Sequence, residues 1–229
     1  MKTFVVGDIH GAFRAFIQCL ERSGFDYEND SLISLGDVFD GWSEIPKVLD
    51  EMLKIKRLVY VLGNHDEFAL KWAETGIVTY EWLINSGQTT INSYPGGIPD
   101  KHLDIIKNSV NYYLSDNKLF VHGGIQMNLS LEKQSKDTCL WDRNLFNYAM
   151  FHYFNKRNFK IAGYDEIYIG HSPLSGYNIY RPLKSGNVCM MDTGAGWTGC
   201  LSMMNIDNGE IYTSDNVTDL YPNETGRYG

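Results

Sequence analysis

Thr3-Phe4-Val5-Val6 is an apolar run closed by Gly7-Asp8, which predicts a short buried strand. Phe13, Phe16, Ile17 and Leu20 then recur at the spacing of one helix face between Ala12 and Glu21, and Gly24 follows as a C-terminal stop. Ser31 to Leu35 repeats the strand pattern and is again closed by Gly-Asp. Ile45, Val48, Leu49, Met52 and Leu53 give an amphipathic helix over 44–55, where Pro46 is tolerated because it sits in the first turn. Arg57 to Leu62 is a third strand, closed by Gly63-Asn64-His65. Strand, Gly-polar loop and helix alternate, so the pattern predicts a βαβαβ start with right-handed crossovers.

The later half is less regular. Helices are expected over 72–82 and 101–110, separated by Pro95-Gly96-Gly97, and again over 145–154. Lys118 to Val121 and Ile167 to Ile169 read as strands, ended by His122-Gly123-Gly124 and Gly170-His171. Ile179-Tyr180, Val188 to Met191, Leu201 to Ile206 and Ile211-Tyr212 read as a closing β meander. From Ser214 onward the chain is polar, and 214–229 is expected to be a loose tail. No repeat or linker interrupts this order, so a single domain over 1–229 is expected.

Composition narrows the class. A chain of 229 residues with 43% hydrophobic and 21% charged residues is neither disordered nor fibrous. A net charge of -8 argues against broad phosphate neutralisation, so a general nucleic-acid-binding surface is not expected. Cys19, Cys139, Cys189 and Cys200 form no CxxC pair, which predicts reduced thiols. No window approaches the roughly 20 apolar residues needed to span a bilayer, and the first residues lack the apolar core of a signal peptide. A soluble, cytoplasmic protein is the expectation.

The chemistry gathers where the strands end. Asp8-x-His10, Asp37-x-x-Asp40, Asn64-His65, His122 and His171 each follow a strand, and four of the six His lie there. The loops after parallel strands emerge on one face, so these side chains are candidates for one site. His102 and His152 fall in expected helices and are given no role. Asp, Asn and His without thiolate suit Mn, Fe or Zn, and a carboxylate such as Asp37 can bridge two cations.

Three segments in order are similar to a known family. Gly7-Asp8-Ile9-His10-Gly11 resembles GDxHG, Gly36-Asp37-Val38-Phe39-Asp40-Gly41 resembles GDxxDRG except at its Arg, and Gly63-Asn64-His65-Asp66 resembles GNH[ED]. With Val121-His122-Gly123 and Ile169-Gly170-His171 they resemble the calcineurin-like metallophosphoesterases, closest to the bacterial and phage Ser/Thr phosphoprotein phosphatases and the diadenosine tetraphosphatases. The likeness runs from Phe4 to about Ile206. It implies an α/β fold in which a sandwich of mixed β-sheets is flanked by helices, with the site at the C-terminal strand ends.

The resemblance also implies roles. Asp8, His10 and Asp37 would hold one divalent ion, and Asp37, Asn64, His122 and His171 a second, with Mn ahead of Fe or Zn. His65 would be the general acid and Asp40 its orienting carboxylate. Arg143, with Asn64, would bind the substrate phosphate. The implied reaction is phosphomonoester hydrolysis by hydroxide held on the metals, with a phosphoprotein as substrate. The alternatives are a nucleotide-directed hydrolase, acting on a dinucleoside polyphosphate or a nucleic-acid end phosphate, and a metal-binding module without turnover.

Gly41 is the departure. A side chain that would help clamp phosphate is missing, and Arg14 and Lys71 are the nearby bases in sequence. Trp42 is expected either to pack or to offer a stacking face. The aromatic-rich 141–154 segment is expected to serve core or lid packing rather than substrate.

Overall fold

The computed structural model describes residues 1–228. Its strands are β1 (Thr3–Val6), β2 (Ser31–Ser34), β3 (Arg57–Tyr60), β4 (Tyr112–Ser115), β5 (Lys118–Val121), β6 (Glu166–Ile169), β7 (Leu183–Ser185), β8 (Val188–Met190), β9 (Ser202–Asn205) and β10 (Ile211–Thr213). Its helices are α1 (Phe13–Ser23), α2 (Ile45–Met52), α3 (Asn64–Thr75), α4 (Tyr80–Ile84), α5 (Gly87–Ser93), α6 (Asp100–Lys107), α7 (Lys136–Trp141), α8 (Asn144–Phe154) and α9 (Val217–Leu220).

Two mixed sheets result. The first runs β10-β9-β1-β2-β3 and the second β4-β5-β6-β8-β7. Each has a parallel trio at its heart, β1-β2-β3 in one and β5-β6-β8 in the other. Antiparallel strands extend them, β9 and β10 beyond β1, β4 beyond β5 and β7 beyond β8, while β3 itself forms the other edge of the first sheet.

The period of two along each strand explains the layering. Val5, Ile33 and Val61 face Phe120, Tyr168 and Cys189 of the other sheet, forming the core between the sheets. Phe120 and Tyr168 stack at 4.8 Å with ring planes 9° apart. Phe4, Val6 and Leu32 point the other way, into the core shared with α1 and α2. Leu119, Val121, Ile167 and Ile169 do the same on the second sheet, against Leu145, Ala149 and Met150 of α8. The central strands are therefore buried on both faces, which is why they read as unbroken apolar runs rather than as alternation. The architecture is a β-sandwich flanked by helices.

Several local expectations need correction. The helix expected over 72–82 is two helices: α3 ends at Thr75 with Gly76 left-handed at φ 68°, and α4 starts at Tyr80 with the Thr79 side chain capping Trp82 N–H. Gly76 supplies a left-handed stop that β-carbon-bearing residues resist, and Trp72 and Trp82 pack across the break at 5.6 Å. β4 was not expected. It pairs with β5 through Asp116-Asn117, both at positive φ, the requirement of a tight hairpin. Ile179-Tyr180 forms no strand; Ile179 packs on the second core, and the strand is β7.

The 214–229 segment is not loose among its described residues. Asn216 caps α9 through its side chain, and the Tyr221 ring is buried. Tyr221 stacks on Trp42 at 4.8 Å, and the Trp42 indole N–H donates to Ala195 O at 2.6 Å. Trp42 is thus fully buried packing, not a substrate platform. Polarity along the segment hid its anchors: Val217 and Tyr221 are buried, and Glu224 accepts from Ser43, so several contacts together offset the entropy of ordering it. The four cysteines are free and buried, and burial pushes the Cys19 and Cys189 thiols up to about 12. Among the described residues no helix is long and apolar enough to cross a membrane.

Candidate active site

Both parallel trios end at the same place. β1 leads to Asp8 and His10, β2 to Asp37 and Asp40, β3 to Asn64 and His65, β5 to His122, and β6 to His171. All of these side chains are buried. His10, Asp37, Asp40 and His171 adopt positive φ between 48° and 63°, which β-carbon-bearing residues adopt at an energetic cost. Glycines make room for them. A β-carbon on Gly63 would lie 2.1 Å from Asp37 Oδ1, and one on Gly170 would lie 2.2 Å from Asp8 Oδ1.

Two ligand triads form. Asp8, His10 and Asp37 bring one ligand atom each within 4.8 Å of one another, as do Asp37, His122 and His171. Asp37 is common to both. Its Oδ2 lies 3.7 Å from His10 Nε2 and 3.4 Å from His122 Nε2, while its Oδ1 accepts the His65 backbone N–H at 2.9 Å. Asn64 Oδ1 sits 2.9 Å from His122 Nε2, so Asn64 adjoins the second triad.

The hydrogen bonds behind the triads aim the imidazoles. His10 Nδ1 faces Phe39 O at 2.9 Å, and His122 Nδ1 faces Leu35 O at 2.8 Å. A ring that donates from Nδ1 to a carbonyl turns the Nε2 lone pair inward, which is the arrangement a metal requires. Asp8 Oδ2 accepts the His171 backbone N–H at 2.9 Å, tying the two sheets together across the site.

The donor set fits two divalent cations. Asp8 Oδ1 and His171 Nε2 are buried with no hydrogen-bond partner, and they belong to different triads. Such atoms are costly unless something binds them. The electrostatics agree. Burial, and then Asp192 and Asp37 alongside, push the Asp8 carboxyl well above the ordinary range. Burial and the neighbouring His122 hold His171 down at about 2. Burial opposes charge on His122, but the Asp37 carboxylate outweighs it and takes the imidazole up to about 10. Buried carboxylates facing one another among buried imidazoles form a cluster that cations would stabilise.

His65 and Asp40 pair beside the first triad. His65 Nδ1 lies 2.6 Å from Asp40 Oδ2, and the His65 ring stands edge-on to His10 at 5.0 Å. Asp40 is locked from behind by Trp82 Nε1–H at 2.8 Å and the Thr90 hydroxyl at 2.5 Å. Arg143 is exposed at the start of α8, and its charge is one of the influences that lower His171, after burial and His122. Arg14 and Lys71 are committed elsewhere. Arg14 pairs with Glu44 at 3.3 Å and covers Tyr221, and Lys71 pairs with Glu67 at 3.2 Å.

Four contributors escaped the sequence reading. Asp66 accepts the backbone N–H groups of Asp37, Val38 and Gly63, each at 2.9 Å, stapling two motif loops, a role that its place in the Gly63–Asp66 segment did not announce. Asp192 follows β8 as Asp8 follows β1, and the run Val188 to Met191 before Asp192-Thr193-Gly194 carried that signal. Trp82 and Thr90 had no local signal, because only folding brings them to Asp40. The aromatic 141–154 segment divides: Phe146 is buried, whereas Trp141 is partly exposed, with its ring 5.9 Å from His171.

The comparisons with known proteins agree with this geometry. A family model described as calcineurin-like phosphoesterase matches residues 1–191. The chain is 28% identical to serine/threonine-protein phosphatase 1 of Salmonella typhimurium, over 89% of this chain and 91% of that protein. It is 25% identical to the symmetrical bis(5'-nucleosyl)-tetraphosphatase of Pseudomonas fluorescens, over 93% of this chain and 94% of that protein, in an alignment of 271 positions. A solved candidate diadenosine tetraphosphatase shares the fold with a TM-score of 0.69 at 16% identity, covering 93% of this chain and 92% of the other. A cold-active protein-tyrosine phosphatase from Shewanella does so at 0.62 and 15%, covering 93% and 80%. With two mixed sheets, helical flanks and motif residues gathered at the strand ends, the chain is a hydrolase belonging to the calcineurin-like phosphoesterases.

Proposed function

We propose that this chain is a dinuclear-metal phosphomonoesterase of the Ser/Thr phosphoprotein phosphatase type. The observation that carries the reading is the His65–Asp40 pair set beside two triads that share Asp37. Asp8, His10 and Asp37 would hold one divalent ion, and Asp37, Asn64, His122 and His171 the other. When bound, two such ions lower the pKa of water and draw charge from a phosphoryl group. Mn suits the mixed oxygen and imidazole donors best, with Fe or Zn as alternatives.

The chain's own residues do the rest. Arg143 and the Asn64 amide would hold phosphate oxygens, and Arg suits that task through its planar fork of donors. As the oxygen of water adds to phosphorus and the ester P–O bond breaks, the departing oxygen takes a proton from His65 Nε2, and the proton released by the water passes to solvent, from which His65 is reprotonated. Asp40, accepting from His65 Nδ1–H, holds the ring and stabilises the imidazolium that supplies that proton. No covalent phospho-enzyme is required.

Two features bear on substrate. The alignment with the tetraphosphatase is longer than this chain, so that relative carries stretches absent here, whereas the phosphatase 1 alignment is collinear over nine-tenths of both proteins. This supports a phosphoprotein or other monoester. The second reading, a dinucleoside polyphosphate hydrolase, is favoured by the exposed Trp141 ring beside His171, a face on which a base could stack.

The deciding experiment compares Mn-loaded protein on a phosphoserine or phosphothreonine peptide, p-nitrophenyl phosphate and diadenosine tetraphosphate. A higher kcat/KM on the peptide supports the first reading, and a higher value on the dinucleotide replaces it with the second. No turnover on any of them would leave a metal-binding module.

A further inference from the structure

Resting on that phosphatase reading, we propose that Arg227 is a substrate-binding residue whose guanidinium grips a phosphoryl oxygen at the Asp8–His10–Asp37 side of the site.

Arg227 reaches the site from far along the chain. Its Nη1 lies 3.5 Å from His10 Nε2, and its guanidinium carbon stands 4.6 Å above the centre of the Trp197 ring. Its Nε is buried and has no hydrogen-bond partner. Among the described residues no carboxylate lies within 4.0 Å of its guanidinium. A half-buried guanidinium with an idle N–H and no counter-ion asks for an anion, and its fork of donors matches phosphate oxygens.

The surroundings are built to hold it. Arg227 N–H donates to Gly196 O at 2.9 Å, and the Ser86 hydroxyl donates to Arg227 O at 3.1 Å. Glu224 accepts the Ser43 N–H and hydroxyl, both at 3.0 Å, and the Tyr221–Trp42 stack fixes the base of the segment. Two glycines clear the path of the side chain. A β-carbon on Gly41 would lie 3.3 Å from Arg227 Cγ, and one on Gly196 would lie 3.0 Å from its Cδ. Gly41 has φ +109°, and a β-carbon there would also meet His10 O at 2.9 Å. Position 41 therefore takes no side chain without strain, and the space beside it is occupied by Arg227 from another part of the chain. Arg227 thus brings a cation to the His10 side of the site, where position 41 supplies none.

The test uses the full chain loaded with Mn and inorganic phosphate as the probe, by calorimetry. Arg227→Met keeps an apolar side chain along the same path and removes the charged guanidinium that stands over Trp197. It is expected to weaken phosphate binding about 10–100-fold, the loss of a charge-assisted contact, with two metals per chain retained. Arg227→Lys restores charge without the fork and is expected to recover part of the affinity. Unchanged phosphate affinity in Arg227→Met, with both metals bound, overturns this inference and leaves the phosphatase reading standing. Tighter metal binding in Arg227→Met with no change in phosphate affinity also overturns it, because Arg227 would then guard the cation site. Loss of fold or metal in both variants overturns it in favour of a structural role. A wild-type chain that loads metal yet binds no phosphate overturns both readings.

Discussion

Asp37 touches more of the site than any neighbour: one oxygen lies between two imidazoles, and the other anchors the peptide of His65. Burial works against its ionisation, yet His122 and His65 hold its carboxyl well below the usual range. Asp37→Asn is expected to lose both metals and nearly all turnover, because an amide bridges cations poorly; elemental analysis finding two metals per chain would count against the bridge. His65 predicts a different signature. His65→Asn leaves both triads complete, so metal content is expected to hold while hydrolysis of esters with poor leaving groups slows by about 10²–10⁴-fold. Aryl phosphates with good leaving groups are expected to slow far less. Equal slowing across a leaving-group series would contradict the general-acid role.

At the scale of elements, the site is made by loops that two parallel trios deliver and that side chains then tie together. Asp66, in the first turn of α3, accepts from the backbones of both the β2 and β3 loops. Four backbone donors, those of Asp37, Val38, Phe39 and Gly63, converge on one buried carboxylate, whose charge is opposed by burial and by Asp37, which raise it to about 6. Asp66→Asn substitutes an N–H₂ for one accepting oxygen and leaves a buried donor facing a donor. The expected cost is about 1–3 kcal/mol, or roughly 3–10 °C in the thermal midpoint, with lower metal affinity because the Asp37 peptide is freed. A midpoint within a degree of wild type would mean that the loops are held by other contacts.

For the molecule as a whole, Val5 and Ile33 of one sheet and Phe120 and Tyr168 of the other share one core, so neither sheet can bury its inner face alone. On that ground we propose that residues 1–229 form a single domain. Urea unfolding followed by tryptophan fluorescence and by far-UV circular dichroism is expected to give one coincident transition. Two separated transitions would divide the chain at the sheets. Mn at about 100 times its Kd should stabilise the fold by about 2.7 kcal/mol per independent site, and a chelator should reverse it. A midpoint indifferent to Mn would argue against the triads as metal sites.

Much of this was legible in the residue order. The apolar runs closed by Gly-Asp, Gly-Asn-His and Gly-His announced strands with chemistry at their ends, since short buried strands and their loops are local features. The break at Gly76 was missed, because helical spacing beyond it masked the stop. What the order of residues could not carry was which distant groups meet. Trp82 and Thr90 reach Asp40 across more than 40 positions, and Arg227 reaches His10 across 217. A polar stretch became part of the site because Tyr221 found the Trp42 face and Gly41 left room beside it. Hydrophobic periodicity encodes which face of an element is buried; only the packing of elements decides which side chains then share a volume, and the meeting of Arg227 with His10 is decided there.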